Sequence, residues 1–376
     1  MIFRHSVLAA LAAASFTSLV ACGDTPPAET APPKVAVAPP PPETAPVATV
    51  APPPEPTPEE KKKAADAKQL HDDRLEWEGA YKVELERWTP EMHKEAKALA
   101  DKQYPTGKAA IQAAIAGKHR KAGNSNRDQY RHPVETLELF GFKPMMQVLD
   151  IGPGDGWYTE LLAPALAKKG KYFATNGDPN GPADKRSTFY SQRFKAFLDK
   201  APELYGNVQQ VKIDGPPALG MENQLDMVLI MRGVHGMKNS GSFDTWLAEI
   251  NKALKVGGVL GIEEHRAPAD ANPEESAKKG YMPEKWVIDT VEAAGFKLAA
   301  KSEINANAKD TKDYPDGVWT LPPTLRNGDK DKEKFMGIGE SDRMTLKFVK
   351  KAPAKTAAPP GKPVTPTAPA KPAPKK

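Results

Sequence analysis

Short apolar runs alternate with amphipathic stretches over residues 146–349, the order a doubly wound α/β sheet requires. Val148, Leu149 and Ile151 form the first run. It ends in glycines and reads as a buried parallel strand. Leu161, Leu162, Ala165 and Leu166 then recur at helical spacing, so a helix starts near Trp157. Further strands are predicted over 171–175, 208–213, 225–231 and 259–263, the last after a Gly257-Gly258 turn. Helices are predicted over 187–198, 243–254 and 283–294, with Gly295 as the last stop signal. Residues 296–300 and 345–349 would close the sheet as an antiparallel pair, making seven strands, mostly parallel. The polar segment between them, about 302–341, reads as a long loop over one edge or over the site.

Upstream of the first strand the pattern is helical only. From Pro58-Glu59-Glu60 a highly charged stretch carries Leu70, Trp77, Tyr81, Leu85 and Trp88 as one apolar stripe. Pro90 ends it, a second helix runs to about Leu99, and a third over 108–116 sets Ile111 and Ile115 on one face. No heptad is sustained, so these pieces read as a cap on the main domain rather than a coiled coil. Residues 134–140 form a helix whose Leu137 and Phe140 should pack on the sheet. The charged cluster Arg127-Asp128-Gln129-Tyr130-Arg131-His132 before it lines a substrate cleft or is a solvated, salt-bridged face.

Composition then shortens the folded part. Proline accounts for 39 of 376 residues, much of it in two flanking segments. Residues 23–58 are Pro/Ala/Thr/Val-rich and favour extended polyproline II, a semi-rigid stalk. Before them, Arg4 and His5 precede an apolar run over 7–20, too short for an ordinary membrane span. The run ends in Leu19-Val20-Ala21-Cys22, which looks like a bacterial lipobox. Cys22 is the only cysteine; on this reading it is lipidated, and disulfides have no part. The expected division is a lipoprotein signal peptide 1–21, a Pro-rich linker 22–58, a helical extension 59–123, an α/β domain 124–351 and a disordered tail 352–376. With Lys350 and Lys351 the tail carries seven lysines and no acid, more than the formal net charge of +5. A lipid-anchored, exported chain at the bacterial cell envelope follows, with the membrane as partner. Nucleic-acid binding is disfavoured by that address and by the lack of aromatic interleaving.

The glycine turn carries the candidate chemistry. Gly152, Gly154 and Gly156 leave bare backbone between a strand and a helix N-terminus, a nucleotide-type cradle. The dinucleotide pattern G-x-G-x-x-G would need glycine at 157, where Trp157 stands. The observed G-x-G-x-G after Asp150 resembles motif I of class I S-adenosylmethionine-dependent methyltransferases, a Rossmann-like fold. That resemblance implies S-adenosylmethionine as cofactor, with Asp150, Gly152, Gly154 and Gly156 at its loop. It also implies an acid after the second strand for the ribose hydroxyls. The matching position is Asn176, with Asp178 two residues on; an amide still bonds a hydroxyl but loses the charge-assisted bond. Asp214, after the third strand, matches the adenine contact or is a simple turn residue beside Gly215.

His235 follows the fourth strand and His265 the fifth, so both should reach the carboxyl edge where such sheets bind ligands. Either imidazole suits a general base on an acceptor hydroxyl or amine. Each is otherwise structural, or the pair with Glu263 or Glu264 holds a divalent metal. Methyl transfer itself needs mainly alignment.

In order along the chain stand Arg127-Asp128, Arg131-His132-Pro133, the glycine turn, His235, Gly257-Gly258, Glu264-His265, Gly295-Phe296 and Ser341-Asp342-Arg343. Over roughly 120–351 the chain thereby resembles a group of exported bacterial predicted methyltransferases. Two features depart: Gly236 replaces an aspartate after the histidine, and Gly280-Tyr281-Met282-Pro283 replaces a histidine-containing segment. The resemblance implies methyl transfer but names no substrate; the first hypothesis is a small or envelope-associated acceptor. The alternative is a ligand-binding protein that kept the fold without the reaction.

Overall fold

The computed structural model describes Glu55 and residues 57–352. Cys22, the leader, all but the last residues of the Pro-rich linker, and the tail beyond 352 lie outside the described residues. Seven strands form one sheet: β1 (Gln147–Ile151), β2 (Lys171–Asn176), β3 (Gln209–Lys212), β4 (Leu225–Met231), β5 (Leu254–His265), β6 (Phe296–Ser302) and β7 (Arg343–Lys350). Their order is β3-β2-β1-β4-β5-β7-β6. β1 to β5 run parallel, and β7 lies antiparallel between β5 and β6. The doubly wound, mostly parallel seven-stranded sheet is therefore present. The order reverses at β1/β4, which opens a crevice at the strand ends there. The central strands are buried on both faces, so Val148, Leu149 and Met227 to Ile230 are all core, and a continuous apolar run replaces alternation.

The helices are α1 (Pro58–Glu86), α2 (Pro90–Asp101), α3 (Gly107–Ile115), α4 (Asp128–Arg131), α5 (Pro133–Phe140), α6 (Thr159–Leu166) and α7 (Arg186–Asp199). They continue as α8 (Pro202–Tyr205), α9 (Val234–Asn239), α10 (Phe243–Ala253), α11 (Pro273–Lys278), α12 (Glu284–Ala293) and α13 (Lys332–Ile338). Among them α4, α8, α9 and α11 are too short to show a helical period in sequence. Leu137 and Phe140 of α5 pack on the sheet as expected, and a Cβ on Gly261 of β5 would meet the Phe140 ring at 2.7 Å.

α1 starts on a capping box between Thr57 and Glu60. It packs on α7: Trp77 meets Phe189 edge-on at 5.9 Å, and Tyr81 Oη donates to Ala196 O at 2.8 Å. The expected apolar stripe is corrected at one position. Leu85 is 43% exposed. Its neighbour Glu84 turns inward instead, to Lys200 Nζ at 2.9 Å.

A second correction concerns β5. It does not begin after Gly257-Gly258 but runs through them from Leu254. Gly257 has φ +78°, and the register against β4 shifts between Leu225 and Met227. The glycines thus kink the strand rather than end it. The long polar segment between β6 and β7 carries a 3₁₀ turn (Gly317–Thr320) and α13, and it folds over the carboxyl edge of the sheet. Among the described residues no helix is long and apolar enough to cross a membrane.

Candidate active site

Beyond β1 the backbone turns through Gly152 (φ +69°), Gly154 (φ +59°) and Gly156 (φ +81°), a region costly for side chains. Gly152 N donates to Thr175 Oγ1 at 2.9 Å, pinning the turn to β2. A Cβ on Gly152 or Gly154 would project into open space, whereas one on Gly156 would strike the Phe197 ring at 2.7 Å. The first two glycines keep a cavity clear; the third serves packing. Trp157 is drawn away from the hollow: its Nε1 donates to Asn124 O at 3.0 Å, and Arg131 and Arg120 lie over its ring at 4.6 and 5.3 Å. The cavity left open measures about 690 Å³ and is lined by Gly152, Gly154, Asn176, Ser191, Arg232 and Trp246 among others.

The nucleoside residues proposed from sequence divide. Asn176 lines this cavity, but its Nδ2 already donates to Gln210 Oε1 at 2.9 Å. Asp178 and Asp214 do not line it: Lys212 Nζ draws both outward, at 3.0 and 3.5 Å, and the Asp214 side chain is 78% exposed. Asp150 lines neither large cavity. It is buried under the turn, where it accepts from Tyr172 Oη at 2.9 Å and its Oδ1 has no partner. Burial pushes its carboxyl up to about 6, against the Tyr172 hydroxyl and the more distant Arg232.

A second cavity of about 670 Å³ meets the first across Gly152 to Asp155 and Met231-Arg232. His235 and His265 both line it, their ring centroids 5.7 Å apart. His235 Nδ1 donates to Glu264 Oε1 at 3.0 Å, which leaves Nε2 free. Burial works against the charged ring, yet the adjacent Glu264 carboxylate prevails and holds the His235 imidazole above its ordinary value. His265 sits 2.5 Å from Ser341 Oγ through Nδ1; burial, with the His235, Arg343 and Arg232 cations, pushes it well below the usual value, which favours the neutral ring. Two adjacent imidazoles with values driven apart are a set suited to base and hydrogen-bonding partner.

His235, Glu264 and His265 also make a metal-type cluster, one ligand atom from each lying within 4.8 Å of the others. The Glu264 oxygens are already filled, however. They accept from the Val234 N–H (2.5 Å), the His235 N–H (3.3 Å), the His265 N–H (2.8 Å) and the His235 ring. That makes Glu264 an orienting carboxylate, and Glu263 is committed to arginines.

Of the charged cluster offered as lining a substrate cleft, Arg127 and Arg131 do line the second cavity; His132 does not, and its Nδ1 faces Asn305 Oδ1 at 3.1 Å. Sequence reasoning passed over Arg232. Arg232 lines both cavities and holds φ +60°, a strained value for a side-chain residue. Its place at the end of the apolar strand β4, before Gly233, was the available signal. Trp319, Pro322, Pro323, Glu340 and Ser341 come from the long loop, which therefore covers the site.

No protein-family model matches the chain. It is similar to the ubiquinone/menaquinone biosynthesis C-methyltransferase UbiE of Ectopseudomonas mendocina, 27% identical over 170 residues, 44% of this chain and 61% of that one. The protein of the same name from Teredinibacter turnerae is 26% identical over 170 residues, 44% of this chain and 63% of that one. The chain thus spans 61–63% of the length of these curated relatives. Among solved structures it is similar to a SAM-dependent methyltransferase from Aquifex aeolicus, 22% identical, TM-score 0.38, over 48% of this chain and 87% of that one. It is also similar to the [4+2]-cyclase SpnF, 16% identical, TM-score 0.42, over 67% and 98%. The mostly parallel seven-stranded sheet with helices on both faces is the class I methyltransferase-like fold.

Proposed function

We propose that this chain transfers a methyl group from S-adenosylmethionine to a small or envelope-associated acceptor. The observation that carries the reading is the joining of two cavities across the bare Gly152–Gly154 backbone, with His235 and His265 in the second. The similarity to methyltransferases over 170 residues supports it. When bound, the cofactor would supply an electrophilic methyl group. Gly152 and Gly154 fit it because the space where their Cβ atoms would stand is open. Asn176 and Ser191 offer polar atoms on the wall of that cavity. His235 Nε2 takes the acceptor proton, and Glu264 holds the ring through Nδ1 and favours the imidazolium that results. Neutral His265 orients the acceptor by a hydrogen bond. Trp319 and the prolines of the long loop shield the chamber from water.

Calorimetry on the full chain tests this. S-adenosylmethionine and S-adenosylhomocysteine both bind the wild type, and Gly154→Val abolishes binding because its branched side chain projects where the ligand must approach the backbone. Binding of neither to the wild type rejects the reading. The same proposal has the chain anchored by lipid at Cys22, supported by a lone cysteine closing an apolar run. Palmitate labelling absent from Cys22→Ala, and present in the wild type, is the expected result.

A further inference from the structure

Along the wall of the second cavity two carboxylates serve four guanidinium groups. Glu340 meets Arg127 at 2.7 Å, Arg131 at 3.1 Å and Arg343 at 2.8 Å. Glu263 meets Arg343 at 3.1 Å and Arg232 at 3.2 Å, and it also accepts from Tyr158 Oη at 3.0 Å. The four arginines and two glutamates leave two positive charges in excess, and all six side chains are between 0% and 23% exposed. Unbalanced charge with so little water around it is costly until a counter-charge arrives.

Of the other acids nearby, Asp150 lies under the glycine turn, bonded to Tyr172 and lining neither cavity. Glu264 is spent on three backbone N–H groups and His235, and Asp155 is paired outward with Arg193. The glutamates themselves are shared two and three ways. Burial holds the Arg127 guanidinium below its ordinary value against the pull of Glu340, and Arg232 and Arg343 add to that depression. Three of the four arginines, Arg127, Arg131 and Arg232, face the cavity, with Lys121 also on its lining. Arg232 has Glu263 as its single side-chain partner, through Nη1, and stands where the two cavities join. Trp319 and Val318 add apolar surface to the same lining. The cofactor's one carboxylate could meet one guanidinium, but its ammonium and sulfonium would leave the net positive charge of the site undiminished.

We propose that the second cavity selects an acceptor bearing an anionic group, a carboxylate or phosphate. Arg232 and Arg127 hold that group, and the nucleophilic atom turns toward His235. This rests on the methyl-transfer reading above and names the acceptor class for the same site. A guanidinium fork matches both anions bidentately, so it positions the acceptor as well as binding it.

The test uses the full chain, first alone and then saturated with S-adenosylhomocysteine, titrated in a calorimeter with benzoate, phenyl phosphate and neutral benzamide. At least one anion binds about tenfold or more tightly than benzamide, a preference of the size a charge-assisted pair gives. The preference disappears in Arg232→Gln and is partly kept in Arg232→Lys. Should Arg232→Gln melt early, Arg127→Gln carries the comparison and weakens the preference likewise. Equal binding of all three probes overturns the proposal, as does a preference that survives both substitutions. Loss of anion binding on saturation with S-adenosylhomocysteine also overturns it, by assigning the arginines to the cofactor's carboxylate. Failure of S-adenosylhomocysteine to bind at all would sink the methyl-transfer reading instead. The titrations without it would then still decide whether the cavity prefers anions.

Discussion

Glu264 Oε1 stands 3.0 Å from His235 Nδ1, and the same carboxylate also takes the backbone N–H of His235. The side chain that aims the imidazole thus fixes the chain that carries it. The next residue of β5, His265, turns to Ser341 and receives no carboxylate to its ring. Neighbouring positions on one strand therefore set one imidazole toward its charged form and the other toward its neutral form.

Replacing Glu264 with Gln removes the charge that holds His235 above its ordinary value. The His235 titration, followed by NMR of its ring Cε1–H, moves to lower pH. As a general base His235 acts only when deprotonated, so the rising limb of the methyl-transfer pH profile shifts to lower pH as well. The plateau falls by about a hundredfold, because the tautomer is no longer fixed. An unshifted His235 titration would show that Glu264 does not govern the ring.

Gly154 and Gly156 have similar positive φ values but different surroundings. Gly154→Ala costs about 1 kcal/mol of backbone strain, and its methyl enters the first cavity, so S-adenosylhomocysteine affinity drops about tenfold. Gly156→Ala adds a collision with the Phe197 ring. It therefore lowers the melting temperature further and leaves affinity in the surviving folded protein near wild type. Melting curves beside calorimetry on the two variants separate these roles.

The sheet was legible because each parallel strand is a dense apolar run between turn residues, as in Leu225 to Met231. The glycine turn was legible because bare backbone has few other uses there. What periodicity could not show was pairing across long separations. Arg131 and Glu340 are 209 positions apart, and only the closing of the long loop over the strand ends joins them. Asp178 and Asp214 sit near the expected strand ends, yet Lys212 on β3 draws both outward. Leu85 matched the stripe on α1, but a buried ion pair one residue earlier set the orientation of that turn.

Asp150 makes stability fall as pH rises. Its folded value is raised to about 6, so its contribution is fully present below the unfolded value of about 4 and is lost as pH passes through about 6. The two-unit difference corresponds to about 3 kcal/mol. Asp150→Asn removes this dependence, so urea midpoints of wild type and variant diverge between about pH 4 and pH 7 in the variant's favour at the upper end. Because Asp150 lines neither cavity, S-adenosylhomocysteine affinity stays within about threefold. A larger loss of affinity with an unchanged pH slope would return Asp150 to the cofactor site.

The pair Lys200–Glu84 ties the helical cap to the α/β domain at 2.9 Å, with side chains 1% and 6% exposed. Lys200 also lies 4.5 Å from the Phe197 ring centroid, and Glu84 accepts from Trp88 Nε1 at 3.2 Å. Removing the cation alone leaves the buried carboxylate with Arg87 as its remaining cationic partner, so Lys200→Met costs about 2 kcal/mol. Glu84→Gln alone strands the ammonium and costs a similar amount. The double variant buries no ammonium without its carboxylate, keeps side chains of like volume and leaves Arg87 on the Lys118 and Arg120 carbonyls, so it loses less than the sum of the two by at least about 1 kcal/mol. Urea unfolding of the four proteins closes the cycle. Additive losses would mean that the two residues act separately and that the apolar contacts of α1 with α7, rather than this pair, dock the cap.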